Sequence, residues 1–202
     1  MSFSVLFYSE DRIAVIQDVL VFSRQQIKDL VETDEIWHLS YPWVLISIFS
    51  TGLGFPALIG KFESEILAQK GCLDYLPVDF SDITKVNYDR IKGQYRKSKD
   101  RLKLFSKRQA RKIIEFIDNF KNDSQDFILA IHCEAGVSRS GAVGVFACRY
   151  LNIDLRRFLA LHPQVLPNPF VYDTLREVSG MDDCYHRFWD DPTPENQFLI
   201  LF

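Results

Sequence analysis

The chain has 202 residues, 47% of them hydrophobic and 25% charged, and its formal net charge is −3. This length and composition predict one globular domain with a substantial core. The slightly acidic balance argues against a general role in binding nucleic acid or a membrane surface. The sequence contains no apolar run of about 18 residues that predicts a transmembrane helix. The first residues lack the basic start of a signal peptide. The four cysteines, Cys72, Cys133, Cys148 and Cys184, show no paired or zinc-binding spacing, and a cytoplasmic protein is expected.

Hydrophobic periodicity predicts strands that alternate with helices. We therefore expect an α/β fold with a central, mostly parallel sheet flanked by helices. In such sheets ligands bind at the carboxyl ends of the strands, which places the loops after residues 49, 80 and 132 at a common edge. In chain order the predicted elements are a short strand at 3–8, a helix at 11–31, a buried strand at 44–49, a strand at 73–80, an amphipathic helix at 107–120, a strand at 127–132, and helices at about 138–151, 154–161 and 169–178.

Residues 132–140, His-Cys-Glu-Ala-Gly-Val-Ser-Arg-Ser, connect a predicted buried strand to a predicted helix. A short loop with one glycine at a helix N-terminus can curl so that backbone N–H groups point inward and bind an anion. Arg139 adds a planar fork of donors that suits a phosphate. The same arrangement stabilises a thiolate, which makes Cys133 a candidate nucleophile. A purely structural cysteine would leave this context and Arg139 unexplained.

This stretch resembles the H-C-x5-R-[S/T] signature of the cysteine-dependent phosphatases. More narrowly, it is similar to the H-C-x-A-G-x-S-R-S loops of the dual-specificity branch, and the N-terminal stretch resembles small bacterial and phage-type members. The resemblance covers roughly residues 40–178, the expected core of a single phosphatase domain spanning 1–202, with a tail at 179–202. It implies a dual-specificity-phosphatase-like fold. It also implies phosphomonoester hydrolysis through a phosphocysteine intermediate, on a phosphorylated protein or another phosphomonoester, with no cofactor or metal.

The resemblance also implies roles for residues of the loop. Cys133 is the expected nucleophile, and the Ser140 hydroxyl can donate to its sulfur. His132 orients the loop in the family, although a buried histidine with satisfied hydrogen bonds describes it equally well. The residues expected to hold the phosphoryl oxygens are Glu134, Ala135, Gly136, Val137, Ser138 and Arg139.

Two carboxylates, Asp79 and Asp82, are candidates for the general acid that protonates the leaving oxygen. Eukaryotic dual-specificity phosphatases often have P-V-x-D here, which favours Asp79. The small bacterial members have a pattern closer to L-x-F-x-D-I, which favours Asp82. Asp82 also lies farther out on the loop, where a mobile acid can reach a pocket. We prefer Asp82 and keep Asp79 as the alternative, and the other carboxylate is then a turn or helix-capping residue.

Half of the 24 lysines and arginines fall in residues 85–112, where Asp89 and Asp100 alone oppose them. This segment either steers an anionic substrate or is a solvated insertion. It is the support for an alternative function, hydrolysis of phosphates at RNA 5′ ends. A non-catalytic phosphopeptide-binding module is a second alternative. Segment 167–172 is assigned to packing, the aromatic tail 181–202 to docking on the domain, and the sequence predicts no oligomeric state.

Overall fold

Four parallel strands form the sheet of a computed structural model, which describes residues 16–32, 41–51, 66–94, 102–121 and 126–181. The spatial order of the strands is β1-β4-β2-β3. This arrangement confirms the predicted α/β class with a parallel sheet. The strands are β1 Ile16–Phe22, β2 Trp43–Phe49, β3 Cys72–Asp79 and β4 Phe127–His132, and the helices are α1 Arg24–Glu32, α2 Lys85–Gln94, α3 Lys107–Lys121, α4 Arg139–Tyr150, α5 Leu155–Leu161 and α6 Pro169–Ser179.

The core lies on both faces of the sheet, because the central strands β2 and β4 are apolar on both sides. Val44, Ile46 and Ile48 of β2 join the larger apolar cluster, which includes the buried face of α3 and most of α4. Leu45 faces the other way and packs in a smaller cluster with Ile27 of α1. The amphipathic pattern of residues 107–120 therefore predicted this helix correctly.

The helix predicted over residues 11–31 is wrong for residues 16–22, which form β1. The apolar residues Ile16 and Val19 are three apart, as in a helix, but both are buried in the strand. A register irregularity between Ile16 and Asp18 accounts for this spacing, since a bulge shifts the side-chain alternation by one residue. The helix begins only after Ser23. The side chains of Ser23 and Gln26 each accept a hydrogen bond from the backbone N–H of the other residue, which forms a capping box.

The other predicted boundaries in the described part of the chain agree with the structure to within one or two residues. Helix α2 had no predicted counterpart, and it lies inside the basic segment 85–112. The predicted strand at 3–8 and the tail 182–202 fall outside the described residues, so the single domain over 1–202 remains a prediction. Within the described residues, no helix is both long enough and apolar enough to cross a membrane.

Candidate active site

The candidate site lies at the carboxyl edge of the sheet, where β4 ends and α4 begins. The connecting residues 133–138 are called the nest loop below. The chain that leaves the neighbouring strand β3, residues 79–84, is called the acid segment. Because β2, β3 and β4 run parallel, their carboxyl ends meet at this edge, as the sequence predicted.

Gly136 gives the nest loop its shape, with a φ of +72° that L side chains rarely adopt. A Cβ at this position would lie 2.7 Å from the backbone nitrogen of Ser23 and 2.8 Å from the backbone carbon of Phe22. Neither contact can relax by a side-chain rotation. Glycine is therefore required both by the backbone conformation and by the close approach of the chain that leaves β1.

The carbonyl groups of the nest loop are held by segments outside it. The carbonyl of Glu134 accepts from the backbone N–H of Arg24 at 3.0 Å, and that of Val137 accepts from Leu166 at 3.2 Å. The carbonyl of Ser138 accepts from the N–H of Asn168 at 3.1 Å. None of the N–H groups of residues 134–138 donates to another described residue. A loop with its carbonyls engaged and its N–H groups free suits an anion.

Cys133 follows β4 directly, is 2% exposed, and has its Sγ 3.0 Å from the Oγ of the fully buried Ser140. The hydroxyl can donate to the sulfur in its thiolate form. Burial raises the pKa of Cys72 and of Cys148 to about 12, so those two thiols are protonated at neutral pH. Cys133 differs from them in its setting, because it follows the carboxyl end of β4 and contacts the hydroxyl of Ser140 in the first turn of α4.

His132 is buried at the end of β4, where its Nε2 lies 2.7 Å from Ser47 Oγ and its Nδ1 lies 3.3 Å from the Cys133 carbonyl oxygen. Burial lowers its pKa to about 4, so the ring is neutral at physiological pH. The ring therefore connects the nest loop to β2. Sequence reasoning missed Ser47, although a polar residue inside the apolar run of β2 was a signal that a buried partner exists.

Arg139 opens α4, and its side chain is buried although it is charged. One terminal nitrogen, Nη1, donates to the carbonyl oxygen of Phe80 at 2.9 Å, which fixes the guanidinium against the acid segment. The buried Nε has no hydrogen-bond partner in the described structure. A buried unsatisfied donor costs about 1–3 kcal/mol, and more when it is charged. An anion in the nest would supply the missing acceptor.

Asp82 contacts the nest loop directly. Its Oδ1 accepts from Ser138 Oγ at 2.8 Å and from Asn168 Nδ2 at 2.9 Å. Asp82 is exposed, and within the described residues its other oxygen, Oδ2, accepts no hydrogen bond. The sequence analysis assigned segment 167–172 to packing, and it therefore missed that Asn168 contacts a site residue.

Asp79 points into a different cluster. It accepts from the backbone N–H of Thr51 at 3.1 Å, from the Thr51 hydroxyl at 2.7 Å, and from the Lys103 ammonium group. Partial burial raises the pKa of Asp79, but the hydrogen bonds from Lys103 and Thr51 outweigh burial and hold this pKa below its ordinary value. Asp79 is therefore ionised and paired at neutral pH.

The same region holds the acid segment in place. Ser81 and Lys103 exchange backbone and side-chain hydrogen bonds of 2.7 and 3.1 Å, and the rings of Phe80 and Phe105 pack with centroids 4.6 Å apart. Gln109 Nε2 donates to the Asp79 carbonyl oxygen at 2.7 Å. Part of the basic segment therefore braces the acid segment.

The remaining loop side chains differ in their exposure and partners. Glu134 lies 3.9 Å from the Arg24 guanidinium, Ala135 is exposed, and Val137 is partly buried. Across the described ranges, no group of three or more His, Cys, Asp or Glu side chains is arranged to hold a metal ion.

Comparison with known proteins gives structural matches without sequence matches. No protein-family model matches the chain, and no curated protein does either. The fold is similar to that of PTPMT1 in a complex with PI(5)P, at 13% identity and a TM-score of 0.46 over 83% of this chain and 93% of the other. It is also similar to the active form of Tk-PTP, at 17% identity and a TM-score of 0.47 over 81% and 91% of the two chains. The core catalytic domain of the PP-IP phosphatase SIW14 from S. cerevisiae matches at 16% identity and a TM-score of 0.38, over 98% and 88%.

Of these three proteins, SIW14 is named as a phosphatase. At these identities and TM-scores the matches describe a likeness of fold.

Proposed function

We propose that the chain hydrolyses phosphomonoesters through a phosphocysteine intermediate on Cys133. The observation that carries the proposal is the setting of Cys133. Its sulfur lies 3.0 Å from the Ser140 hydroxyl, at the base of a loop whose N–H groups at 134–138 donate to no other described residue. Arg139, which follows this loop, has a buried donor with no partner in the described structure. This arrangement supports both the binding of a phosphoryl group and the presence of a thiolate below it.

The substrate phosphate would bind with its oxygens on the N–H groups of residues 134–139 and on Arg139. Arg139 is held by Phe80, so its fork is positioned before the substrate arrives. The free Nε would gain an acceptor on binding. The dipole of α4 also favours negative charge at this position.

In the first step the Cys133 thiolate attacks phosphorus, an S–P bond forms, and the P–O bond to the leaving group breaks. Asp82 donates its proton to the leaving oxygen, which departs as an alcohol or phenol. The contact between Asp82 and Ser138 supports this assignment, because it places the carboxyl group beside the nest loop. Asp79 is disfavoured because both of its carboxylate oxygens accept from Thr51 or Lys103, and neither contacts the nest loop.

In the second step the Asp82 carboxylate takes a proton from water, the water oxygen attacks phosphorus, and the S–P bond breaks. The departing sulfur is a thiolate again, and Ser140 can donate a hydrogen bond to it. Inorganic phosphate leaves and Asp82 is again protonated. Neither step consumes a cofactor.

Among the described residues, the charges around the site support a substrate with one phosphate, and we propose phosphotyrosine in a protein, with phosphoserine or phosphothreonine as further substrates. Arg139 is the one basic residue in the loop sequence 133–139. Two nearby cations, Arg24 and Lys103, face the carboxylates of Glu134 and Asp79. A substrate with several phosphates would need unpaired cations around the pocket.

The RNA 5′-end alternative loses part of its support. It rested on the basic segment 85–112, but Lys103 pairs with Asp79 and Lys107 pairs with Glu177. A phosphopeptide-binding module would require no thiolate. It would bind a phosphopeptide without releasing phosphate, whereas the proposed enzyme releases it.

A turnover assay with a phosphotyrosine peptide, an aryl phosphate, an inositol phosphate and a 5′-phosphorylated RNA tests the proposal. We expect phosphate release from the first two, and Cys133→Ser should retain phosphate binding while activity falls below about one percent of the wild-type value. Cys72→Ser is the matched control, because its hydroxyl can replace the thiol donor to the Asp74 carbonyl. Residual activity above one percent in Cys133→Ser, or binding of the peptide without release, would overturn the proposal.

A further inference from the structure

We propose that Asn168 is a positioning residue that fixes which oxygen of Asp82 carries the catalytic proton. This inference rests on the proposed function and extends it to a residue outside both the nest loop and the acid segment. Asn168 lies at the start of α6, 86 positions from Asp82 in sequence, and its side chain is 5% exposed.

Two donors converge on one oxygen of Asp82. Asn168 Nδ2 lies 2.9 Å from Oδ1, and Ser138 Oγ lies 2.8 Å from the same atom. Within the described residues, Oδ2 of Asp82 accepts no hydrogen bond. The two oxygens of this carboxyl group are therefore in different surroundings.

The orientation of the Asn168 amide is fixed by the helix that it caps. Its Oδ1 accepts from the backbone N–H groups of Phe170 and Val171 at 3.0 and 3.3 Å. Exchanging the amide oxygen and nitrogen would direct an N–H group at those two donors. The amide nitrogen must therefore face Asp82, and an amide nitrogen can donate but cannot accept.

This geometry has a chemical consequence for the acid. A proton on Oδ1 of Asp82 would face the Asn168 N–H group, whereas a proton on Oδ2 leaves Oδ1 as the acceptor of both bonds. The proton is thus directed to Oδ2, the oxygen free to approach the leaving group. After transfer, the same two donors stabilise the carboxylate that must next take a proton from water.

Asn168 also aligns the acid with the phosphate site. Its backbone N–H donates to the Ser138 carbonyl oxygen at 3.1 Å, while the Ser138 side chain donates to Asp82. One buried residue therefore holds both the end of the nest loop and the acid. A displacement of the carboxyl group by a fraction of an ångström would lower the efficiency of proton transfer.

Asn168→Ser tests the inference, because serine caps a helix as well as asparagine does but cannot reach Asp82 with an amide donor. With a phosphotyrosine peptide we expect kcat to fall about tenfold, the effect of one hydrogen bond to a charged group. With dinitrophenyl phosphate, whose leaving group needs no proton, the loss should be less than about twofold. Thermal unfolding should change little.

The pH–rate profile and a double-mutant cycle distinguish a positioning role of Asn168 from a purely structural one, because a structural role would change neither result. Asn168→Asp keeps the cap but places a carboxylate beside Asp82, so the basic limb of the pH–rate profile should move to higher pH. In the Asp82→Asn background, Asn168→Ser should have no further effect, because the proton that it positions is absent.

Three results would overturn the role of Asn168 and leave the proposed function intact. They are an equal loss of kcat on both substrates in Asn168→Ser, an unmoved basic limb of the pH–rate profile in Asn168→Asp, and a full tenfold loss of kcat when Asn168→Ser is added to Asp82→Asn. Absence of turnover by the wild-type protein on either substrate would instead overturn the proposed function, and this inference with it.

Discussion

The nest loop and the acid segment adjoin in one site, but they are held by different kinds of interaction. The nest loop is held largely by its backbone: three of its carbonyls accept from segments outside it, and Gly136 fits against the chain that leaves β1. The acid segment is also bonded through its backbone to Lys103 and Phe49, but its two carboxylates are held mainly by side chains from distant parts of the chain, with Lys103 on Asp79 and Asn168 on Asp82.

This difference has a consequence for catalysis. Groups that stabilise charge on a phosphoryl oxygen work best when they are rigid before the substrate binds, and backbone N–H groups meet that condition. A general acid must instead be correctly oriented and still exchange its proton with the leaving group and with water. Substitutions in the acid segment should therefore change the chemistry and its dependence on leaving group, whereas substitutions beneath the nest loop should change stability and phosphate binding.

The largest expected effect is on the acid. Asp82→Asn should lower kcat on phosphotyrosine peptides by about 10²–10⁴-fold and spare an activated aryl phosphate. The basic limb of the pH–rate profile should flatten, because that limb reports loss of the acid's proton. Steady-state kinetics on the two substrates across pH measures both effects.

Asp79→Asn is the matched control for that experiment. It removes a carboxylate of the same segment, but one that is paired with Lys103 and Thr51. It should show neither the leaving-group dependence nor the flattened limb. If Asp79→Asn shows both and Asp82→Asn behaves as the wild type does, the acid is Asp79.

The second effect concerns the backbone of the nest loop. Gly136→Ala should lower the free energy of unfolding by about 2–4 kcal/mol, since it combines a strained φ with a clash against backbone atoms. Gly180→Ala isolates the first of these costs, because Gly180 has a φ of +70° and nothing within 4 Å of the added Cβ. Denaturant unfolding should give a loss of about 1–2 kcal/mol for that control. Equal losses of unfolding free energy in the two variants would show that the backbone atoms close to Gly136 add nothing to the cost of the substitution.

The smallest effect concerns His132, which anchors the nest loop to β2. Its folded-state pKa of about 4 lies below the unfolded value of 6.5, so the unfolded chain takes up the proton first as pH falls. The contribution of the neutral ring to the free energy of unfolding is therefore complete above pH 6.5. It is lost as the pH falls from 6.5 to 4, by at most about 3 kcal/mol. Urea unfolding at pH 7.5 and pH 5 should show part of this loss in the wild type and a smaller one in His132→Gln. The same pH dependence in both proteins would contradict a neutral, buried ring.

The same contrast explains how much could be predicted from the sequence. Cys133, Gly136, Arg139 and Ser140 lie within eight residues, so a local pattern contains both their identity and their spacing. Strand β4 and helix α4, which flank them, were also predicted closely, because an apolar run and a helical pattern are local properties.

Features that depend on long-range contacts were predicted poorly or missed. Ser47 contacts His132 across 85 positions of the sequence, and Asn168 contacts Asp82 across 86. No local sequence pattern contains either pair. The choice between Asp79 and Asp82 also depends on partners elsewhere in the chain. Strand β1 was mistaken for a helix because a bulge gave Ile16 and Val19 a helical spacing, and strand formation there depends on pairing with β4.

The central claim is that Cys133 forms a covalent bond to phosphorus during turnover. Mass spectrometry of enzyme quenched with acid while it hydrolyses an aryl phosphate measures this directly. We predict a phosphoryl adduct on the peptide that contains Cys133, formed and lost at rates that support kcat, and absent from Cys133→Ser. Full turnover with no adduct on Cys133, or with the adduct on another residue, would contradict the account.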